Sequence, residues 1–170
     1  MKYHILFISE IKRRLIGECQ TRTLECLDLL SDEEIWYRPN LHSNSVGNLV
    51  LHLCGNVTQW LFSTMGGEED HRTRQREFDE RGPIGKEILQ KKIIDLMVKA
   101  ENVINSLSTG QLETFYPVQG FRESGIAILI HITEHFSYHV GQMTYYVKAK
   151  KDLDIGYYAG QDLNRTQSGD

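Results

Sequence analysis

Residues 124–151 read SGIAILIHITEHFSYHVGQMTYYVKAKK. The stretch has no proline, is most apolar between Ile126 and Ile132, and ends in Lys148, Lys150 and Lys151, where cations complement the negative end of a helix dipole. It predicts the last helix of the chain. His131, His135 and His139 recur along it at steps of four. Each step advances about 40° around the axis, so neighbours share a face while the outer two splay by about 80°. Two of the three can therefore converge on one metal ion, and a site needs a further ligand from elsewhere.

Glycine and proline divide the rest of the chain into three more periodic segments. The first runs from about Tyr3 to Leu30, with Phe7, Ile8, Ile11, Leu15, Ile16, Cys19, Thr23, Cys26, Leu27 and Leu30 at helical spacing. Ser31-Asp32-Glu33-Glu34 then has the pattern of a capping box and opens a short turn ending before Pro39, with Trp36 and Tyr37 packing it against its neighbours. The second helix starts near Ser43-Asn44-Ser45 and stops at Gly66-Gly67. The third follows Pro83 and runs to about Leu107, with Ile84, Ile88, Ile93, Met97, Ala100, Ile104 and Leu107 as its buried face. No segment alternates with period two for long enough to argue for a strand; Thr114 to Val118 comes nearest.

Four such helices read as an all-α four-helix bundle spanning 1–170 as one domain. The connection from Gly66 to Pro83 is too long for a hairpin between antiparallel neighbours, so it predicts a crossover between helices two and three. It is dense in charge, and a solvated, salt-bridged loop is the expectation for it. The segment from Asp152 to Asn164 is expected to pack back over the bundle.

With 40% hydrophobic and 25% charged residues in 170, the composition is that of a globular protein with a real core. A net charge of −4 offers no basic face for nucleic acid. No apolar run suits a signal peptide or a membrane span, so the expected location is cytoplasmic, with neither nucleic acid nor membrane as partner. Cys19, Cys26 and Cys54 lack a Cys-x-x-Cys pairing and read as reduced, buried thiols.

The further ligand is most naturally His52, which lies mid-helix between apolar neighbours in Leu49-Val50-Leu51-His52-Leu53. Several unpaired imidazoles in a core are costly to bury, and one metal ion satisfies them together. His4, His42 and His71 have no partner at ligand spacing and read as surface residues. Asn56 and Gln59 continue the His52 face, and Gln142 continues that of His135 and His139, with Tyr138 and Tyr146 bordering it. Glu134 points about 100° away from its neighbour His135, which argues against it as a general base there.

Ser43-Asn44-Ser45-Val46-Gly47-Asn48-Leu49-Val50-Leu51-His52, taken with His131 to Gln142 and above all its His-x3-His-x-Gly-Gln core, resembles the DinB/YfiT-like superfamily, whose members are grouped as metalloenzymes. The resemblance covers nearly the whole chain. It implies a four-helix bundle with a long crossover and a divalent metal held by His52, His135 and His139. His131 then stands outside the triad as a packing or supporting residue, with Gln142, Asn56 and Tyr138 as further supports. Val140 stands where many relatives have arginine, so any role of that arginine is absent or supplied elsewhere. Homodimerisation is also implied by the resemblance alone.

Three neutral imidazoles leave a coordination position open, as in catalytic rather than structural zinc sites. Nitrogen donors suit zinc, nickel, iron or copper, so geometry alone does not name the metal; zinc or nickel is the expectation, with iron as a further option. The expected function is a divalent-metal-dependent enzyme acting on a small molecule, of the thiol S-transferase or hydrolase type, with a low-molecular-weight thiol as a candidate cofactor. The alternatives are a non-catalytic metal-binding or stress-associated bundle, and a plain bundle whose histidines hydrogen-bond one another without metal.

Overall fold

The computed structural model describes residues 2–164. α1 (Lys2–Lys12) runs through a π-helical stretch (Arg13–Gln20) into α2 (Thr21–Leu29) as one rod, the helix expected over 3–30. Ile11, Leu15, Cys19, Cys26 and Leu27 form its buried face, and the buried Thr23 hydroxyl donates to the carbonyl of Cys19 at 2.8 Å. Ser31 and Glu34 form the expected capping box around α3 (Asp32–Trp36). A second box, Ser45 with Asn48, opens α4 (Val46–Val57), which continues as a π-helical stretch (Thr58–Ser63).

The chain then passes through α5 (Arg74–Asp79) to α6 (Lys86–Ser106) and α7 (Thr109–Glu113). β1 (Phe115–Val118) and β2 (Phe121–Ser124) pair antiparallel, Phe115 opposite Ser124 and Val118 opposite Phe121. This hairpin was not expected from periodicity. It is too short for alternation to register, and its two-residue turn, Gln119-Gly120 with φ 49° and 82°, is what shapes it. α8 (Gly125–Lys151) closes the fold and stops where Asp152 turns left-handed. Among the described residues no helix is long and apolar enough to cross a membrane.

The third helix corrects one expectation: Ile88 is 56% exposed. Leu89, Ile93, Leu96, Met97, Ala100 and Ile104 are buried, and on that three-and-four spacing position 88 falls outside.

Side-chain contacts establish the directions of the helices. Lys12 reaches Glu101 and Asn105 while Gln90 reaches Asp28, so the first rod and α6 are antiparallel. Trp36, packed on Gly47 at the start of α4, donates to the carbonyl of Ile84 at 3.0 Å, and Lys99 sits 4.4 Å over the Phe62 ring, so α4 and α6 are parallel. Parallel neighbours require the chain to return along the bundle, which accounts for the long crossover. The outcome is the all-α bundle, with its second and third helices joined by a crossover.

That crossover is anchored to α4. Fully buried Asn48 donates from Nδ2 to the carbonyls of Glu77 and Glu80, each at 2.9 Å, while its Oδ1 completes the Ser45 cap. The Trp36 indole lies so close to Gly47 and Gly82 that a Cβ would stand 2.8 and 2.5 Å from it. The tail packs back as expected: Tyr157 hydroxyl meets Thr144 Oγ1 at 2.7 Å, and Arg22 donates to Tyr158 at 3.1 Å.

Replacing Asn48 with Ala removes the reciprocal half of the Ser45 capping box and both crossover bonds at once. Urea denaturation should show a loss of about 2–3 kcal/mol, whereas Asn102→Ala on the exposed face of α6 should change stability by no more than about 0.5 kcal/mol.

Candidate metal centre

α4 and α8 run antiparallel, and this brings His52 against His135 and His139. One ring nitrogen from each lies within 4.8 Å of the others. Nε2 of His135 is 3.1 Å from Nε2 of His52 and 3.1 Å from Nε2 of His139. His52 and His139 are 5% and 9% exposed, and His135 is half-buried.

The outer nitrogens are held from behind. Nδ1 of His52 lies 2.8 Å from Oε2 of Glu77, and because a carboxylate only accepts, that Nδ1 carries the proton. Nδ1 of His139 donates to Oε1 of Gln142 at 2.7 Å. Both partners leave the Nε2 lone pairs pointing inward. A single Nε2–H on His135 cannot serve two such acceptors at full strength, and Nδ1 of His135 is buried without a hydrogen-bond partner. Hydrogen bonding among the histidines therefore leaves the cluster under-satisfied, while one cation satisfies all three nitrogens. The spacing also fits: two nitrogens at ordinary zinc distances in tetrahedral geometry lie roughly 3.3 Å apart.

Glu77 and Arg72 belong to the connection for which a solvated loop is the expectation, and the structure corrects this. Arg72 has 4% and Glu77 11% of its side chain exposed. Arg72 Nε donates to Glu77 Oε1 at 2.7 Å and Nη2 to Oε2 at 2.9 Å, a bidentate pair, while Nη1 reaches Gln59 Oε1 at 2.9 Å. Burial raises the Glu77 carboxyl, but the bonds from His52 and Arg72 outweigh it and hold the group below its ordinary range. Gly55 makes the approach possible, since a Cβ there would stand 2.0 Å from Glu77 Oε1. That glycine, one turn beyond His52 inside an apolar helix, was the available signal that another segment comes close.

The remaining candidates divide. His131 stacks on Trp60 with ring centroids 3.7 Å apart and lies parallel to His135 at 5.4 Å, outside the triad. Asn56 is buried, its Nδ2 3.3 Å from His131 Nε2 and its Oδ1 unpartnered. Tyr138 is 63% exposed and meets His139 only edge-on at 5.1 Å, so it makes no hydrogen bond to the triad. Glu134 is exposed. His4, expected on the surface, is half-buried with Nε2 3.1 Å from the Leu107 carbonyl oxygen. The thiols are free, and burial pushes Cys19 up to about 11 and Cys54 to about 12, so neither is a ready thiolate.

The family model described as "Protein of unknown function (DUF1572)" matches residues 5–157. A DinB-like protein from Bacillus cereus is similar in structure, with TM-score 0.65 and 16% identity over 82% of this chain and 89% of that one. A conserved protein from Enterococcus faecalis gives TM-score 0.69 and 15% identity over 90% and 99%. A DinB-like protein from Bacillus subtilis gives 0.59 and 20% over 90% and 97%. At these identities the likeness is one of fold, and the fold is DinB-like. No curated protein matches the sequence.

Burial, then the charges of His139 and His52, push His135 down to about 3 from its ordinary 6.5. Between those values only the unfolded chain takes up the proton, so acid favours unfolding. Chelator-treated protein should lose stability as the pH falls from 6.5 towards 3. His135→Leu should flatten that dependence in urea titrations; an unchanged slope would contradict the assignment.

Proposed function

This chain belongs to the DUF1572 family of proteins of unknown function, and from that premise we propose that it is a divalent-metal-dependent enzyme acting on small molecules through His52, His135 and His139. The observation that carries the reading is the convergence of three Nε2 atoms, two of them with Nδ1 engaged by Glu77 or Gln142. Imidazole nitrogens suit zinc, nickel, iron and copper alike, and zinc or nickel is the ion proposed, with iron after them. A bound ion of this kind supplies a Lewis acid that makes a coordinated water or thiol more acidic.

The chain's own residues do the positioning. Glu77 keeps the His52 proton on Nδ1, Arg72 holds Glu77 in place and balances its charge, and Gln142 does the same service for His139 as Glu77 does for His52. With three neutral nitrogen ligands the ion keeps its full charge, which favours thiol S-transferase or hydrolase chemistry, with a low-molecular-weight thiol as the candidate cofactor of the former. A non-catalytic metal-binding bundle is the second reading, favoured by the low exposure of His52 and His139. A cavity of about 580 Å³, which shares Gln142 with the triad's surroundings, weighs toward the enzyme.

Untagged protein analysed by plasma mass spectrometry should hold about one transition-metal equivalent per chain, lost in His135→Ala. Glu77→Gln, which leaves the buried Arg72 without its counter-charge, should lower stability by about 3–5 kcal/mol and weaken metal affinity by about 10–100-fold. Metal-loaded parent should turn over an activated ester or join a thiol to an electrophile, and His135→Ala should do neither. A parent that takes up no metal on reconstitution would overturn the proposal.

A further inference from the structure

The cavity beside the triad has a chemistry of its own. It lies between the first turns of α4, the last turns of α8 and the connection from α3 to α4. One end is lined by buried Leu49 and exposed Gln142, each one helical turn from a triad histidine: Leu49 precedes His52 by three and Gln142 follows His139 by three. Gln142 also holds Nδ1 of His139, so the cavity wall and the triad share a side chain.

The walls combine flat aromatic rings with the polar side chains of His42, Ser43 and Asn44. Tyr37 and Tyr146 stack nearly parallel, 20° apart with centroids at 6.4 Å, and the Tyr146 hydroxyl donates to the Glu34 carbonyl at 2.9 Å, which fixes that ring. Tyr145, 77% exposed, extends the aromatic lining outward.

The outer end carries charge of one sign. No Asp or Glu lines the cavity, in a chain whose net charge is −4. Of the three lysines in the last turn of α8, Lys148 pairs with Asp154 at 3.4 Å and Lys151 with Glu34 at 2.6 Å. Lys150 alone lines the cavity among them, its Nζ 5.0 Å from the Tyr37 ring centre, and among the described residues it has no carboxylate partner. Lys150 is eight residues beyond Gln142, about 12 Å along the helix. The site therefore offers an unpaired cation at one end, aromatic walls between, and at the other Gln142, which holds His139 of the triad.

We infer that this cavity is the substrate pocket and takes a small carboxylate with a planar apolar body, its carboxylate held at Lys150 and its far end directed past Gln142 towards the triad. The inference rests on the metal-enzyme reading for its word "substrate", but the binding chemistry stands on the cavity alone. The carboxylate gains a charge-assisted bond to Lys150, and the flat body buries against Tyr37 and Tyr146.

The test is a two-dimensional NMR titration of zinc-supplemented protein with benzoate and 3-phenylpropionate, beside the uncharged amide of each. The carboxylates should shift the signals of Tyr37, Leu49, Gln142 and Tyr146. Lys150→Gln, a change at an exposed position, should weaken them by about fivefold to tenfold and leave the amides unaffected. Ala149→Phe, also at an exposed position, should fill the cavity and abolish the response. Carboxylates that leave the cavity signals unmoved, or that bind Lys150→Gln and parent alike, would overturn the inference. Metal content measured on the same samples separates the two ideas. A protein that holds zinc but ignores the carboxylates loses only the pocket. One that binds them at Lys150 without holding zinc keeps the pocket and loses the enzyme.

Discussion

The 2.8 Å contact between Glu77 and Nδ1 of His52 is the point on which fold and site depend together. A carboxylate this deeply placed is stable only with its charge answered, and Arg72 answers it with two bonds while His52 supplies a third. Arg72 and Glu77 both come from the crossover, which exists because α4 and α6 run parallel. The topology of the bundle thus delivers the groups that orient one triad histidine. Asn48 and Gly55 on α4 make the docking possible, one by binding the crossover's carbonyls and the other by leaving room for the carboxylate.

The second support is local, and the contrast is informative. Gln142 follows His139 by three residues on the same helix, so its position needs no tertiary structure. His135 has neither kind of support. Its Nδ1 is unpartnered and its ring is held by packing, parallel to His131, which itself lies on Trp60. The imidazole with the least support from hydrogen bonds is the one whose Nε2 stands between the other two.

How much of this was legible in the sequence follows from the range of each interaction. The long helices, their caps at Ser31 and Ser45, and the need for a crossover could be read because periodicity, capping and loop length are local properties. The His-x3-His spacing and Gln142 were legible for the same reason, and His52 stood out as a polar residue in an apolar run. Arg72 and Glu77 were not legible, because among many loop charges nothing local distinguishes the two that become buried. Tyr138, expected from helical spacing to border the ligand face, meets His139 edge-on at 5.1 Å while 63% of it stays exposed, an exposure that spacing alone does not reveal. The hairpin at Phe115–Ser124 escaped because a pair of four-residue strands carries too little alternation to be read.

The most direct test of the central claim is X-ray absorption at the zinc edge of the reconstituted protein. The account predicts a first shell of three imidazole nitrogens at about 2.0–2.1 Å, completed by a light atom that an added thiol replaces with sulfur at about 2.3 Å. A shell without imidazole scattering, or one closed by four protein ligands that no added thiol alters, would contradict it.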